Sequence, residues 1–168
     1  MALSAPRVAT SATHEARRST PLDAADLEAV MALETGVYPF PWTRRNFLDS
    51  LAAGYLARLL RSDADGRLLG YWVAMLGAGE MHLLNITVAA PERRCGHGRF
   101  MIEELCGLAS AAGAQELWLE VRQSNAVARS AYAAMGFQER GVRPGYYPAA
   151  GRQRESAVLM SRRLDALD

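Results

Sequence analysis

The chain predicts a mixed α/β layer fold, and three observations carry that prediction. From residue 81 onward the hydrophobic pattern reads strand, loop, helix, strand, helix, strand, strand. The first half is helical and contains one antiparallel hairpin. No repeat or second domain interrupts the 168 residues, a length that suits one domain with a sizeable core. The order is not the strict strand–helix alternation of a doubly wound sheet.

The elements follow in chain order. Residues 1–18, MALSAPRVATSATHEARR, hold almost no large apolar side chains and are expected as a disordered tail before a single domain, 19–168. The tail lacks the apolar core of a secretory signal, and Glu15 counts against an organellar transit peptide. Asp23 is placed to cap a helix whose apolar stripe is Leu27, Val30, Met31 and Val37. Pro39 and Pro41 end it. Thr43 caps a short second helix with Phe47, Leu48 and Leu51 on one side.

YLARLLR and RLLGYWVAML read as strands joined by a hairpin turn at Asp65-Gly66. EMHLLNITV is a third strand, AAPERRCGHGR a loop, and FMIEELCGLASAAG a helix with Met101, Leu105 and Leu108 on one face. Gly113 stops that helix. ELWLEV is the next strand, followed by a helix capped at Ser124 or Asn125 and stopped at Gly136. FQERGVR and ESAVLMSRRL close the chain as strands around the loop PGYYPAAGRQ.

Bulk chemistry narrows the function. Nineteen Lys and Arg against eighteen Asp and Glu leave a net charge of +1, so no global basic field calls for nucleic acid. No apolar run reaches the roughly 18 residues of a membrane span. Cys95 and Cys106 form no CxxC and join no Cys/His cluster, which argues against disulfides and against a metal site. A reduced, cytoplasmic setting is expected. Nothing specifies an oligomer, and a monomer is expected.

Two stretches carry chemistry. RRCGHGR, Arg93 to Arg99, joins a strand to a helix. Gly96 and Gly98 let a ligand approach the backbone, and the free N–H groups of the first helical turn favour an anion. Arg93, Arg94 and Arg99 add charge, so a pyrophosphate fits. The loop is neither a Walker motif nor the dinucleotide fingerprint, because Met101 stands where a third glycine belongs. A tight turn with solvated arginines explains the loop alone equally well.

In the strand LWLEVRQSN, Leu117, Leu119 and Val121 share one face and Trp118, Glu120 and Arg122 the other. A carboxylate on a sheet face expected to be largely buried is either ion-paired, to Arg122 or another arginine, or functional. Spacing leaves both readings open. Tyr132 shares a helical face with Ala128 and Met135, the pattern of a core or boundary tyrosine.

Taken together, NITVAAPERRCGHGR, LWLEVRQSNAVARSAYAAMGF and YYP resemble the GNAT superfamily of acetyl-CoA-dependent N-acetyltransferases, and within it the RimI-type family that acetylates a ribosomal protein's N-terminal alanine. The resemblance spans roughly residues 22 to 164. It implies a mixed, mostly antiparallel central sheet flanked by helices, with acetyl-CoA as cosubstrate and no metal. The phosphate-loop positions it implies are Arg94, Cys95, Gly96, His97, Gly98 and Arg99. Ile86, Thr87 and Val88 are implied to meet the pantetheine arm and thioester through their main chain, and Asn125 to contact the coenzyme. Glu120 is implied as general base and Tyr132 as general acid. His97 departs from the aliphatic residue common at its position.

The chemistry is consistent with that implication. A protein α-amine is about one-third neutral near pH 7.4, whereas a lysine is only about 0.1% neutral, so one carboxylate is help enough for the former. No Cys-His-Asp set is evident, so direct attack is expected rather than a covalent enzyme intermediate. Phe40, Trp42, Tyr146 and Tyr147, in aromatic and proline-rich segments, are implied to face the acceptor, the N-terminal peptide of a ribosomal protein. A lysine, a small-molecule amine, or a non-catalytic acyl-CoA-binding role are the alternatives.

Overall fold

A computed structural model describes residues 16–165. The strands are β1 (Arg17–Pro21), β2 (Leu56–Ser62), β3 (Leu68–Gly77), β4 (Glu80–Val88), β5 (Glu116–Arg122), β6 (Gln138–Pro148) and β7 (Arg154–Arg163). The α-helices are α1 (Leu27–Val37), α2 (Arg44–Ala52), α3 (His97–Ala111) and α4 (Ala126–Ala134). The seven strands form one sheet in the order β1-β2-β3-β4-β5-β7-β6. Every pairing is antiparallel except β4 with β5. The expected mixed, mostly antiparallel sheet is therefore what folds.

Alternation along the strands sends successive side chains into two separate cores. Leu60, Leu69, Trp72, Met81, Leu117 and Leu119 pack with Met101, Ile102 and Leu105 of α3. Leu59, Tyr71 and Val73, on the opposite face, pack with Leu27 and Val30 of α1 and Phe47 of α2. Thr43 caps α2 with a reciprocal capping box to Asn46. Asp23 makes the equivalent box with Asp26, but on a short 3-10 turn that precedes α1.

Four expectations needed correction. Arg17 and Arg18, expected within the tail, belong to β1 and pair with Ser62 and Arg61; the rest of the expected tail, residues 1–15, lies outside the described residues. A short, polar edge strand has no hydrophobic alternation to reveal it. Leu48 is exposed rather than beside Phe47 and Leu51. The loop PGYYPAAGRQ is largely strand: β6 runs on to Pro148, with its register shifting between Arg143 and Tyr147. Pro144 is tolerated there because β6 is the sheet edge. Finally, helix α3 starts at His97, three residues before the expected Phe100.

Candidate active site

β4 and β5 stay paired only from Glu80–Glu116 to Leu83–Leu119. β4 then shifts register between Leu83 and Asn85 against β3 and runs on to Val88, while β5 continues to Arg122. From Leu84 onward the β5-facing edge of β4 therefore has no ladder partner in the sheet. A cleft of about 1040 Å³ opens there. Ile86, Thr87 and Val88 form one wall, the Arg93–Arg99 loop another, and Asn125 with Ala128 and Tyr132 of α4 a third.

The loop has the backbone features that suit an anion. Arg94 and Gly96 both hold left-handed backbone, at φ 64 and φ 78, a strained choice for arginine. Alternating handedness of this kind turns successive N–H groups inward. Gly96 is the N-cap of α3 and no side chain caps that helix, which leaves its first-turn N–H groups available. Gly98 lies in that first turn with ordinary helical handedness; a methyl group there would meet only Val88 Cγ2, at 3.9 Å. The fold itself does not require glycine at 98.

The expected loop residues divide. Arg94, Gly96, His97, Gly98 and Arg99 line the cleft, whereas Cys95 does not. The Cys95 thiol is exposed and donates to the Arg93 carbonyl at 3.5 Å. His97 is buried, its Nδ1 2.8 Å from Nη1 of Arg17 and its Nε2 3.7 Å from Glu92. Asn125 rather than Ser124 caps α4, accepting from the Ala128 N–H at 3.1 Å.

Tyr132 is half-buried and packs on Phe137, with ring centroids 5.6 Å apart. Burial pushes its hydroxyl well above the usual phenol range, with Tyr38 and Tyr147 adding to the shift. Tyr132 thus holds its proton firmly.

Glu120 stands outside the cleft lining. Its carboxylate is ion-paired with Arg143 at 2.9 Å, and burial, then Glu120, raise the Tyr146 hydroxyl. Of the arginine partners open to it, Arg143 is the one realised; Arg122 pairs with Glu155 at 3.2 Å. The sheet face bearing Glu120 is only half covered, contrary to the expectation of burial on both faces. Burial, then Glu120, raise the Tyr147 hydroxyl, and Tyr38 adds to the shift. Tyr147 therefore lies within electrostatic reach of both Glu120 and the cleft tyrosine Tyr38. Arg122 sits 4.6 Å from the Tyr147 ring and 5.9 Å from Phe40, joining the two aromatic segments. Trp42, by contrast, packs on Phe47 at 5.1 Å in the second core.

Sequence reasoning missed a polar network that reaches the cleft through Tyr38 and Thr87. Glu34, buried at 1% exposure, accepts from the Trp42 N–H at 2.7 Å, from the Tyr71 hydroxyl and from the Asn85 amide. Tyr38 donates to the Ile86 carbonyl at 2.9 Å and accepts from Thr87 Oγ1 at 3.1 Å. A glutamate on the apolar stripe of α1 was the available signal. Among the described residues, no group of three or more His, Cys, Asp or Glu is arranged to hold a metal, and no helix is long and apolar enough to cross a membrane.

The Acetyltransferase (GNAT) family model matches residues 27–137. This chain belongs to that family. It is an N-acetyltransferase, similar over most of its length to enzymes of one kind. The [ribosomal protein bS18]-alanine N-acetyltransferase of Salmonella typhimurium is 35% identical over 140 residues, covering 83% of this chain and 93% of that one. Its counterpart in Haemophilus influenzae is 31% identical, covering 83% and 94%. The crystal structure of the ribosomal-protein-S18-alanine N-acetyltransferase from Escherichia coli superposes with a TM-score of 0.82 at 31% identity, covering 91% of this chain and 97% of that one. Ard1 from Thermoplasma volcanium, at 21% identity and a TM-score of 0.77, shares the fold.

Proposed function

We propose that this N-acetyltransferase transfers the acetyl group of acetyl-CoA to the N-terminal alanine of ribosomal protein bS18, in a cytoplasmic setting. The observation that carries the reading is the cleft, which joins the free β4 edge, the Arg93–Arg99 loop and Tyr132, in a chain 35% identical to an enzyme named for that reaction. Gly96, Gly98 and the first-turn N–H groups of α3, with Arg94 and Arg99, would hold the pyrophosphate. The main chain of Ile86, Thr87 and Val88 would take the pantetheine arm, and Asn125 would contact it from α4. A main-chain N–H there would polarise the thioester carbonyl. Cys95 would contribute backbone only.

Acetyl-CoA supplies the acetyl group already activated as a thioester. Glu120 takes the proton of the attacking amine, directly or through one water. Tyr132 returns a proton at the sulfur. Its raised proton affinity makes that donation more uphill than for a free phenol, but a sulfur anion leaving in the same buried setting is itself destabilised, which narrows the gap. Phe40, Tyr146 and Tyr147 wall the acceptor side.

Mass spectrometry of two synthetic peptides with acetyl-CoA tests the reading. One begins with free alanine and carries the bS18 N-terminal sequence; the other is N-blocked and carries a free lysine. Acetylation of the first alone is expected. Modification of the second alone would refute the N-terminal substrate. Glu120→Gln is expected to lower kcat/KM on the first peptide about 10²- to 10⁴-fold, with acetyl-CoA affinity unchanged.

A further inference from the structure

The carboxylate assigned as base does not stand bare. Arg143 Nη1 lies 2.9 Å from Glu120 Oε1. The same guanidinium sits 4.8 Å from the centroid of the Tyr146 ring. Arg143 is half-exposed at the end of a long side chain, on a strand whose register slips immediately after it. It is therefore a solvent-accessible cation held at the carboxylate. Arg122, two residues along the same face of β5, is committed to Glu155 and to the Pro148 carbonyl.

We infer that Arg143 is a specificity-determining residue: it occupies the cation subsite of Glu120 and so screens acceptor amines by charge. This rests on the reading of Glu120 as the base at the acceptor site. With Arg143 in place the subsite is already neutralised. A lysine ammonium, almost wholly charged near neutral pH, gains no net attraction and must displace a guanidinium. An α-amine has an accessible neutral form, about one-third of the population near pH 7.4, which enters without needing a countercharge. Removing the guanidinium charge leaves an open carboxylate that attracts any cation.

The test measures KM for the alanine-starting peptide and the inhibition constant of an N-blocked, lysine-containing peptide, at low ionic strength, because half-exposed charges are screened by salt. Three full-length proteins are compared: wild type, Arg143→Gln and Arg143→Lys. Expected is an inhibition constant about three- to tenfold lower in Arg143→Gln, with Arg143→Lys close to wild type. Melting temperature and acetyl-CoA affinity confirm that the variants are folded. An unchanged inhibition constant in Arg143→Gln overturns the assignment. So does an Arg143→Lys variant that behaves like Arg143→Gln, since shape rather than charge would then decide. If wild type fails to acetylate the alanine peptide, the functional reading falls and takes this inference with it. If wild type acetylates that peptide while the inhibition constants stay equal, only the role of Arg143 falls.

Discussion

The Glu34 carboxylate and the Trp42 backbone N–H meet at 2.7 Å, and this bond ties the loop before α2 to the body of α1. The same carboxyl group accepts from Asn85 of β4 and Tyr71 of β3, so three elements converge on one buried side chain. A leucine at 34 would leave the Trp42 N–H, the Tyr71 hydroxyl and the Asn85 amide without their acceptor. Each orphaned buried donor costs about 1–3 kcal/mol, so Glu34→Leu is expected to lose about 3 kcal/mol or more in urea unfolding. A loss under about 0.5 kcal/mol, the range of an ordinary surface change, would mean that Glu34 is not the hub described.

Gly70 and Gly107 make opposite predictions. A methyl group at Gly70 would collide with the Thr87 carbonyl oxygen and stand 3.0 Å from Met101 Cε. Backbone in the middle of a sheet cannot yield cheaply, so Gly70→Ala is expected to cost about 1–3 kcal/mol and, by displacing Thr87, to weaken acetyl-CoA binding. Gly107 lies within α3 with nothing near its would-be Cβ. Gly107→Ala should gain up to about 1 kcal/mol. Thermal melts of the two variants check both signs.

The glycine contrast shows what a sequence can carry. Gly96, Gly113 and Gly136 were legible because loop and helix-stop positions call for left-handed backbone, and all three have it. Gly70 was not legible, because its reason is the approach of a strand and a helix distant in sequence. Alternation placed Leu117, Leu119 and Val121 on one face of β5, and all three are buried. Glu34 and Tyr38 stayed hidden since a buried polar network is defined by partners up to 51 residues apart. The partner of Glu120 was left open for the same reason: Arg143 reaches it across β7. The cleft motif was readable because loop, cap and strand end are each local.

Alkaline pH should unfold this protein through its tyrosines. Burial raises the hydroxyls of Tyr71, Tyr132 and Tyr147 far above the usual value near 10. Each of these groups binds its proton more tightly folded than unfolded. Their stabilisation is fully present below the unfolded value and is lost as pH rises beyond it, because only the unfolded chain then releases protons. Urea midpoints are expected to be level, as far as these tyrosines are concerned, up to about pH 9 and to fall above about pH 10. Tyr71→Phe should flatten part of that fall. An unchanged midpoint between pH 9 and 11 would contradict the burial of these hydroxyls.

Gly98 separates a glycine needed by the fold from one needed by a ligand. It lies in the first turn of α3, where a methyl group meets only Val88 Cγ2 at 3.9 Å. Alanine there relieves the conformational freedom of glycine, so Gly98→Ala is expected to hold or raise stability by up to about 1 kcal/mol. The same methyl group would stand where a pyrophosphate must approach the backbone, so acetyl-CoA affinity is expected to fall at least tenfold. Cys95→Ser provides the contrast, since its thiol faces the Arg93 carbonyl outside the cleft; affinity should change less than twofold. Calorimetric titration with acetyl-CoA and a thermal melt on each variant read both quantities. A Gly98→Ala protein that binds as tightly as wild type would move the pyrophosphate away from this loop. A loss of binding on Cys95→Ser would bring the Cys95 side chain back into the site.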